Sequence, residues 1–551
     1  MAIITAPFEI VKTGINNAFV SKEPWQIVTI TTSTVLLSVW LYEFIFQEES
    51  VMERTKKTFF KLAKLVPSIR LKIDSEMESV RKSLYKDVEE RGKALHYITT
   101  LPEKGFSKEA IVKLTDENLG LSDYDWAQGK VSGTVYYMSS EINSLITDIY
   151  SKSAYTNPLH LDIFPGICKM EAEVVHMTAN AFHGGANACG TMTSGGTESI
   201  LMACKAFRDF AREEKGIKKP EMVLPKTAHS AFDKAAQYFK IKAIYVPVDP
   251  VTTQVDINAM EKAISWNTIM LVGSAPNFPY GTMDDIAAIS DLGLKYNIPV
   301  HVDSCLGGFL TAFMPDAGFP VPICDFRLPG VMSISADTHK YGFTPKGSSV
   351  VLYREPKYRH HQYTITTDWP GGVYGSPTVG GSRAGGSIAV CWAVLLRFGK
   401  EGYIRATREI IHTSRYIEKG LRSMKGIFVF GQPATSVIAI GSNDFDIYRL
   451  SSALLKLGWN LNNLQYPSAI HLAVTYLHTK GGVADQFLSD VKNSLAIILE
   501  KPEKRVEGKL AIYGVAQEIP DRSIVRDITR LFLDSMYYIP NNKENKNDNT
   551  Q

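Results

Sequence analysis

The chain has 551 residues, a net charge of +3 and a hydrophobic content of 45%. This composition is ordinary for a globular protein, and the near-neutral charge gives no reason to expect a nucleic-acid partner. The six cysteines form no CxxC pair and no metal-like spacing. A chain of this length is therefore not a disulfide-rich scaffold, and we expect reduced thiols and no metal site.

An apolar segment near the N-terminus predicts a transmembrane helix. No charged side chain occurs from Pro24 to Tyr42, and a span of about 20 residues is what a hydrocarbon core requires. The threonines and serines in the segment leave an interfacial helix as the alternative. A cleavable signal peptide is disfavoured, because no small-x-small site follows. More basic residues lie just after the segment than before it, so the positive-inside rule places the C-terminal part in the cytosol.

The rest of the chain divides into segments that differ in composition and in the pattern of apolar residues. We predict a short lumenal N-terminus at 1–23, the transmembrane helix at 24–46, and a helical stalk with an N-terminal segment at 47–130. SKEAIVKLTDENLG, starting at Ser107, reads as a capped helix that ends at Gly120. A large domain at 131–394 and a smaller α+β domain at 395–537 follow. Residues 538–551 form a polar tail that we predict to be disordered.

The large domain alternates short apolar runs with helical stretches. This alternation predicts βαβ units, an α/β fold and a mostly parallel sheet. The runs that we assign to strands are TIMLVGSAP, PVHVDSC, VMSISAD and SSVVLY, and the main helical stretches are ESILMACKAFRDFAREE and MDDIAAISDLGLKYN. In the smaller domain, the strand-like runs are GIFVFG, SVIAIGS and AIHLAVT.

Three elements in the large domain carry candidate chemistry. In TSGGTESI, Gly195, Gly196 and Thr197 precede a helical stretch, where backbone amides and the helix dipole favour a phosphate group. Asp303 ends the strand-like run HVD, a place where α/β sheets bind ligands. Lys340 follows the strand-like run SISAD, where an unpaired charge is costly. Taken singly, each has an ordinary structural explanation: a common turn, a capping carboxylate or a surface lysine.

Together, the three elements match what pyridoxal phosphate requires of a protein. Desolvation favours the neutral, nucleophilic form of Lys340, which can form an imine with the cofactor aldehyde. Asp303 can keep the pyridine nitrogen protonated, because two unit charges near 4 Å are worth about 4 kcal/mol at an effective dielectric of 20, or about three pKa units. The sequence therefore predicts a pyridoxal phosphate site.

These motifs resemble a known enzyme family. TSGGTES, KTAHSAFDKA, HVDSCLGGF and SADTHKYG occur in the order found in pyridoxal phosphate enzymes of fold type I related to glutamate and aromatic amino acid decarboxylases. YTNPLHLDIFPG, SISADTHKYGFTPKGSS, TTDWPGGVYGSPTVGGSRAGG and the single N-terminal span more narrowly resemble the sphingosine-1-phosphate lyase family. The resemblance covers about residues 20 to 537 and implies the fold type I, transferase-like architecture.

The resemblance also implies roles for individual residues. Lys340 matches the imine-forming lysine and Asp303 the partner of the pyridine nitrogen, while His229 matches the histidine that stacks on the cofactor ring. The residues that match phosphate contacts are Gly195, Gly196, Thr197 and His339, with Ser382 added from the second subunit. The residues that match substrate binding or proton transfer are Tyr136, Asn157, His160 and Lys346, and the choice of Tyr136 over Tyr137 is a matter of alignment.

The implied activity is retro-aldol cleavage of a phosphorylated sphingoid base into a long-chain aldehyde and phosphoethanolamine. The implied setting is the endoplasmic reticulum membrane, with a lumenal N-terminus, a cytosolic catalytic domain and a homodimer with shared active sites. Two alternatives remain open from the residues. One is an amino acid decarboxylase of the same fold, and the other is a membrane scaffold with a vestigial cofactor pocket.

Overall fold

The computed structural model describes residues 2–45, 51–93, 95–506 and 521–540. The chain forms two units, Met1–Phe106 with Ile519–Gln551, and Ser107–Glu518. Most of the predicted tail at 538–551 and the last residue of the predicted span lie outside the described residues. All six cysteines lie in the described part of the chain, and none of them forms a disulfide, as predicted.

The first unit is helical over its described residues. Its helix α2 contains an 18-residue window, Pro24–Leu41, that is long and apolar enough to cross a membrane and is not buried in the protein. The helical character predicted after this segment is confirmed. The helices of this unit are α1 (Ala2–Phe19), α2 (Pro24–Ile45), α3 (Val51–Ala63), α4 (Pro67–Gly92) and α17 (Arg522–Ser535).

Helices α4 and α17 of this unit pack side by side and run in the same direction. The Lys64 ammonium lies 2.9 Å from the Asp521 carboxylate, just before both helices begin. At the other end, the Tyr85 and Tyr538 rings stack with centroids 4.0 Å apart, and the Tyr538 hydroxyl donates to Glu89. The C-terminal segment therefore folds against the N-terminal stalk.

The second unit is built around one sheet, which among the described residues has seven strands in the order β1-β7-β6-β5-β4-β2-β3. The strand β7 is antiparallel to both of its neighbours, and the other pairs are parallel. The predicted α/β class and the mostly parallel sheet are confirmed. The strands are β1 (Cys189–Thr193), β2 (Glu221–Pro225), β3 (Lys242–Val246), β4 (Thr268–Ser274), β5 (Val300–Asp303), β6 (Val331–Ala336) and β7 (Ser349–Tyr353).

The apolar runs form strands because helices cover both faces of the sheet. All seven residues of β4 are buried, which is typical of a parallel strand with two covered faces. The helices of this unit between residues 107 and 422 are α5 (Lys108–Leu119), α6 (Ser140–Ser153), α7 (Pro165–Ala181), α8 (Gly196–Lys215), α9 (Ala231–Phe239), α10 (Ile257–Ala263), α11 (Ile286–Tyr296), α12 (Gly308–Thr311), α13 (Pro356–Gln362) and α14 (Gly385–Arg422). Several of them begin at a capping polar side chain, as α5 does at Ser107 and α6 at Ser139.

The C-terminal part of this unit contains a second, antiparallel sheet, so the predicted α+β character is confirmed. Its strands lie in the order β10-β11-β13-β12, and a separate hairpin pairs β8 with β9. The predicted domain boundary at 394/395 falls inside α14, which has a non-helical residue at Gly399, and the boundary stays a prediction. The remaining elements are β8 (Thr364–Thr366), β9 (Tyr374–Ser376), β10 (Phe428–Val429), β11 (Val437–Gly441), α15 (Ile447–Lys456), β12 (Asn462–Leu464), β13 (Ala469–Ala473) and α16 (Val483–Leu499).

One apolar core joins the two sheets. It runs from Val302 on β5 and Ile334 on β6 to Ile438 on β11 and Ile470 on β13. A second cluster lies under α8 and α9 and includes the fully buried Phe207 and Phe232. These cores fix the ends of β5 and β6 relative to the start of α8, which is where the candidate chemistry lies.

Candidate active site

Three candidate groups meet at one edge of the large sheet. Asp303 is the last residue of β5 and pairs in register with Ser335 near the end of β6. The turn after β6 carries Lys340, and α8 begins at Gly196. A Cβ atom added to Gly196 would lie 2.7 Å from the Asp337 carboxylate oxygens and 2.8 Å from the Cys305 sulfur. The start of α8 is therefore packed directly against the turns that follow β5 and β6.

Lys340 forms an ion pair that the sequence reasoning missed. Its Nζ lies 2.9 Å from Asp337 Oδ2, and its side chain is 20% exposed. Burial alone would lower the pKa of Lys340, but the Asp337 carboxylate outweighs it, so the pKa is raised above the usual value for a lysine. Desolvation favours the neutral amine as expected, but Asp337, which the sequence analysis did not consider, acts in the opposite direction and favours the ammonium form.

Asp303 is held at the strand end that the sequence predicted. Its side chain is buried, and its Oδ1 accepts a hydrogen bond from the Cys305 amide at 3.0 Å. The Ser335 hydroxyl donates a longer bond of 3.4 Å to the same oxygen. These contacts fix the carboxylate through one oxygen, so that Oδ2 remains to meet a cationic group at the sheet edge.

The start of α8 lies at the place of the predicted phosphate cradle, which stays a prediction. Thr193, Ser194 and Thr197 line a cavity of about 740 Å³ together with Ser382 of the same chain. A Cβ at Gly195 would lie 3.3 Å from the His339 ring, so His339 also borders the cradle. Lys340 and Asp303 do not line this cavity, which lies on the phosphate side of the predicted site. Glycine at positions 195 and 196 leaves room for these neighbours at the start of α8, and a helix N-terminus favours an anion such as phosphate.

Hydrogen bonds tie the loop that carries Ser382 to the cradle. Glu198, in the first turn of α8, accepts from the Ser194 amide at 2.7 Å and from the Val379 amide at 3.0 Å. Ser194 therefore does not offer its amide to a phosphate. Asn157 Oδ1 accepts from the Leu159 and Arg383 amides, each at 3.1 Å. This oxygen of Asn157 holds two loops together, which leaves its amide nitrogen for a ligand.

Tyr136 and Lys346 lie together near Lys340. The Lys346 Nζ is 4.9 Å from the centre of the Tyr136 ring, and the buried Tyr136 packs edge-to-face on Tyr341 at 4.8 Å. Burial raises the pKa of Tyr136 to about 12, against the opposing charge of Lys340. Burial also lowers the pKa of Lys346, and the like charge of Lys340 adds to this effect. Tyr137 instead packs against Phe343, Phe398 and Tyr476, so the geometry favours Tyr136.

The two remaining candidate histidines, His229 and His160, differ in burial and in hydrogen bonding. His229 is half-buried before α9, and its Nδ1 accepts a hydrogen bond from the Ala231 amide at 3.1 Å. This bond places the ring proton on Nε2 and fixes the ring, next to Phe278. His160 is exposed on the loop before α7. Its side chain makes no hydrogen bond or ion pair within the described part of the chain, so its role at the site stays a prediction.

Sequence reasoning also passed over two other site residues. Asp337 directly follows a buried strand, which is the signal that identified Asp303, and it could have been found in the same way. Cys305 follows Asp303 and contacts the start of α8, but a small apolar residue carries no chemical signal in a sequence. Its role shows only in the packing against Gly196.

The packing at Gly196 leads to a prediction for Gly196→Ala. The added methyl group has no room between the Asp337 carboxylate and the Cys305 sulfur. Overpacking of this kind costs about 1–3 kcal/mol, so we expect pyridoxal phosphate to bind roughly tenfold more weakly in a fluorescence titration. Gly185→Ala is the matched control, because a Cβ there meets nothing within 4 Å. Equal affinity in the two variants would contradict the tight cradle.

Comparison with known proteins places this site in a family. Residues 100–439 match the family described as pyridoxal-dependent decarboxylase conserved domain. The chain is 58% identical to a sphingosine-1-phosphate lyase of Drosophila melanogaster, over 96% of this chain and 97% of that protein. It is 49% identical to sphingosine-1-phosphate lyase 1 of Mus musculus, over 96% of this chain and 92% of that protein.

A solved structure supports the same assignment. The sphingosine-1-phosphate lyase of Burkholderia pseudomallei superposes with a TM-score of 0.75 and 38% sequence identity, covering 82% of this chain and 99% of that one. The resemblance predicted from the motifs is therefore confirmed, and so is the fold. The chain belongs to the pyridoxal-dependent decarboxylase family, and within it to the sphingosine-1-phosphate lyases.

Proposed function

We propose that this chain is a pyridoxal phosphate-dependent carbon–carbon lyase. It cleaves the C2–C3 bond of phosphorylated sphingoid bases and releases a long-chain aldehyde and phosphoethanolamine. The observation that carries the proposal is the identity to sphingosine-1-phosphate lyases along nearly the whole length of both chains. The geometry agrees, because the lysine, the strand-end carboxylate and the helix N-terminus meet at one sheet edge.

The residues at this edge fit pyridoxal phosphate. When bound, the cofactor supplies a positively charged ring that accepts the electron pair of the breaking bond. Lys340 would provide the amine that holds the cofactor covalently, and Asp303 would keep the ring nitrogen protonated. His229, fixed by the Ala231 amide, would pack on the ring. The residues that hold the phosphate are Gly195, Gly196, Thr197, His339 and Ser382.

Proton transfer falls to Tyr136 and Lys346. With a pKa of about 12, the Tyr136 phenol keeps its proton at neutral pH and can donate it. Lys346 has a lowered pKa, so it is the better group to accept the C3 hydroxyl proton or to bind the substrate phosphate. Asn157 binds the substrate through its amide nitrogen. His160 is exposed in the single chain, and we assign it to the substrate on the resemblance alone.

The test of the reaction is product analysis with three substrates. Purified protein incubated with sphingosine 1-phosphate is expected to release a long-chain aldehyde and phosphoethanolamine, detected by mass spectrometry. Glutamate and DOPA are expected to release no carbon dioxide. Lys340→Ala is the control, and it should lose both the product and the visible absorbance of bound cofactor. Carbon dioxide without aldehyde would favour the decarboxylase, and a colourless wild type would favour the scaffold.

The apolar helix α2 is the proposed membrane anchor. Its length and its exposure on all sides support a single span. The excess of basic residues after it supports a lumenal N-terminus and a cytosolic catalytic unit. The choice of the endoplasmic reticulum membrane follows the resemblance alone. An anchored enzyme meets its substrate at the bilayer surface, because a single-chain sphingoid phosphate partitions into membranes.

Topology is tested with glycosylation acceptor sites fused to each end of the chain. Only the N-terminal site is expected to be glycosylated in cells, since only that end reaches the lumen. A variant that lacks residues 1–46 serves as the control, and neither of its sites should be modified. Glycosylation at the C-terminus of the full chain would reverse the proposed orientation.

The enzyme is proposed to act as a homodimer with active sites shared between subunits. This follows the resemblance, which assigns Ser382 to the second subunit. In the single chain, Ser382 lines a cavity with Thr197 of the same subunit, so its action across subunits stays a prediction.

Mixing two inactive variants tests the shared sites. Lys340→Ala and Ser382→Ala chains are refolded or co-expressed together, and recovered lyase activity is measured. If Ser382 acts across the interface, one site of each mixed dimer carries both defects and the other carries none. About a quarter of the wild-type activity is then expected when half of the dimers are mixed and each has one intact site. No recovery, with mixed dimers demonstrated by differential tags, would place Ser382 in its own subunit's site.

A further inference from the structure

Asp337 is a buried carboxylate that has no role in the proposed reaction. It follows β6 directly and is 2% exposed. Its Oδ2 lies 2.9 Å from Lys340 Nζ and 3.5 Å from His339 Nε2, while Oδ1 has no hydrogen-bond partner among the described residues. A buried anion is costly unless it is paired, so its presence beside Lys340 needs a reason.

The surroundings of Asp337 stabilise its negative charge. The start of α8 packs against it so closely that only glycine fits at position 196. A helix N-terminus carries partial positive charge, which favours an anion at this place. Against the cost of burial, the charge of Lys340 and a hydrogen bond from His339 act in the same direction and hold the pKa of Asp337 well below its usual value. The carboxylate is therefore expected to be ionised at neutral pH.

The same surroundings determine the charge of Lys340. The titratable groups that face it are Asp337 and Tyr136, with Cys305 after β5. Of these, only Asp337 is ionised at neutral pH, because burial raises the pKa of Tyr136 and of Cys305. Lys346 adds a positive charge nearby, which opposes protonation of Lys340. Asp337 is thus the group that keeps the free amine charged.

We propose that Asp337 is a positioning residue that holds the free Lys340 side chain as an ammonium ion in one place beside the cofactor cradle. This inference rests on the proposed function, in which Lys340 would hold the cofactor covalently, and it adds that the substrate amine would take the place of Lys340. The substrate would enter as an ammonium ion, and the proton that its amine gives up would pass to Lys340. The resulting Lys340 ammonium has no lone pair with which to react again while the substrate is bound. Return of the lysine then requires that the ammonium first lose its proton.

Competitive labelling with trace acetic anhydride tests this proposal in the full-length protein from which the cofactor has been removed. The reagent acetylates only neutral amines, so the pH profile of each labelled lysine gives its pKa. Mass spectrometry compares Lys340 with Lys346, six residues away on the same peptide. In the wild type, Lys346 labelling should level off first, and Lys340 labelling should still rise above the ordinary lysine pKa of about 10.4.

The decisive variant is Asp337→Asn. Each unit by which the pKa of Lys340 falls raises its labelling at pH 8 about tenfold, and we expect a rise of at least about fivefold. Asp325→Asn is the matched control, because Asp325 is equally buried and pairs instead with Arg327 at 2.8 Å. That variant should leave Lys340 labelling unchanged.

A smaller rise in folded Asp337→Asn protein would overturn the proposal. If this variant does not fold, the wild-type profile decides, since Lys340 that levels off together with Lys346 contradicts the ion pair. The labelling involves neither substrate nor turnover. Failure of the proposed lyase reaction would therefore appear in the product analysis and leave this result standing.

Discussion

The parallel register of β5 and β6 is the constraint on which the site depends. It places Asp303 opposite Ser335, so that the turn after β6 starts at the level of the carboxylate. The start of α8 then closes on both turns, and only glycine fits there. A shift of one residue in this pairing would turn every side chain of one strand to the other face of the sheet. The candidate cofactor residues come from three separate elements, and this register holds them in one fixed arrangement relative to one another.

Much of this arrangement could be predicted from the sequence. The strands β4 to β7 are continuous apolar runs because both of their faces are covered, and Asp303 and Lys340 mark the ends of two of them. The outer strand β3 was not predicted, because its residues are mostly half-buried and KAIYV gives a weaker pattern. Strand β12 has only three residues, which is too few to show the alternation of apolar and polar side chains that identifies a strand in a sequence.

The parts of the site that could not be predicted depend on distant contacts. Glu198 looks like an ordinary polar residue, yet it accepts from the Val379 amide near Ser382, more than a hundred residues away. Asn157 was a candidate for substrate binding, but its contact with the Arg383 amide was not predictable. The charge of Lys340 could not be predicted for a related reason. Burial was foreseen from the strand, but the balance between desolvation and a carboxylate at 2.9 Å depends on geometry. Sequence patterns show which groups are present, and only the folded chain shows which of them are in contact.

The parallel pairing of α4 with α17 has a consequence for truncated forms of the enzyme. A soluble fragment made by removing only the leading residues through α4 would leave the far end of the polypeptide without its helical support. Tyr538 would lose the aromatic ring of Tyr85, and Asp521 would lose its lysine. Orphaned apolar surface of this kind promotes self-association in solution. A well-behaved fragment should either retain both segments or omit both.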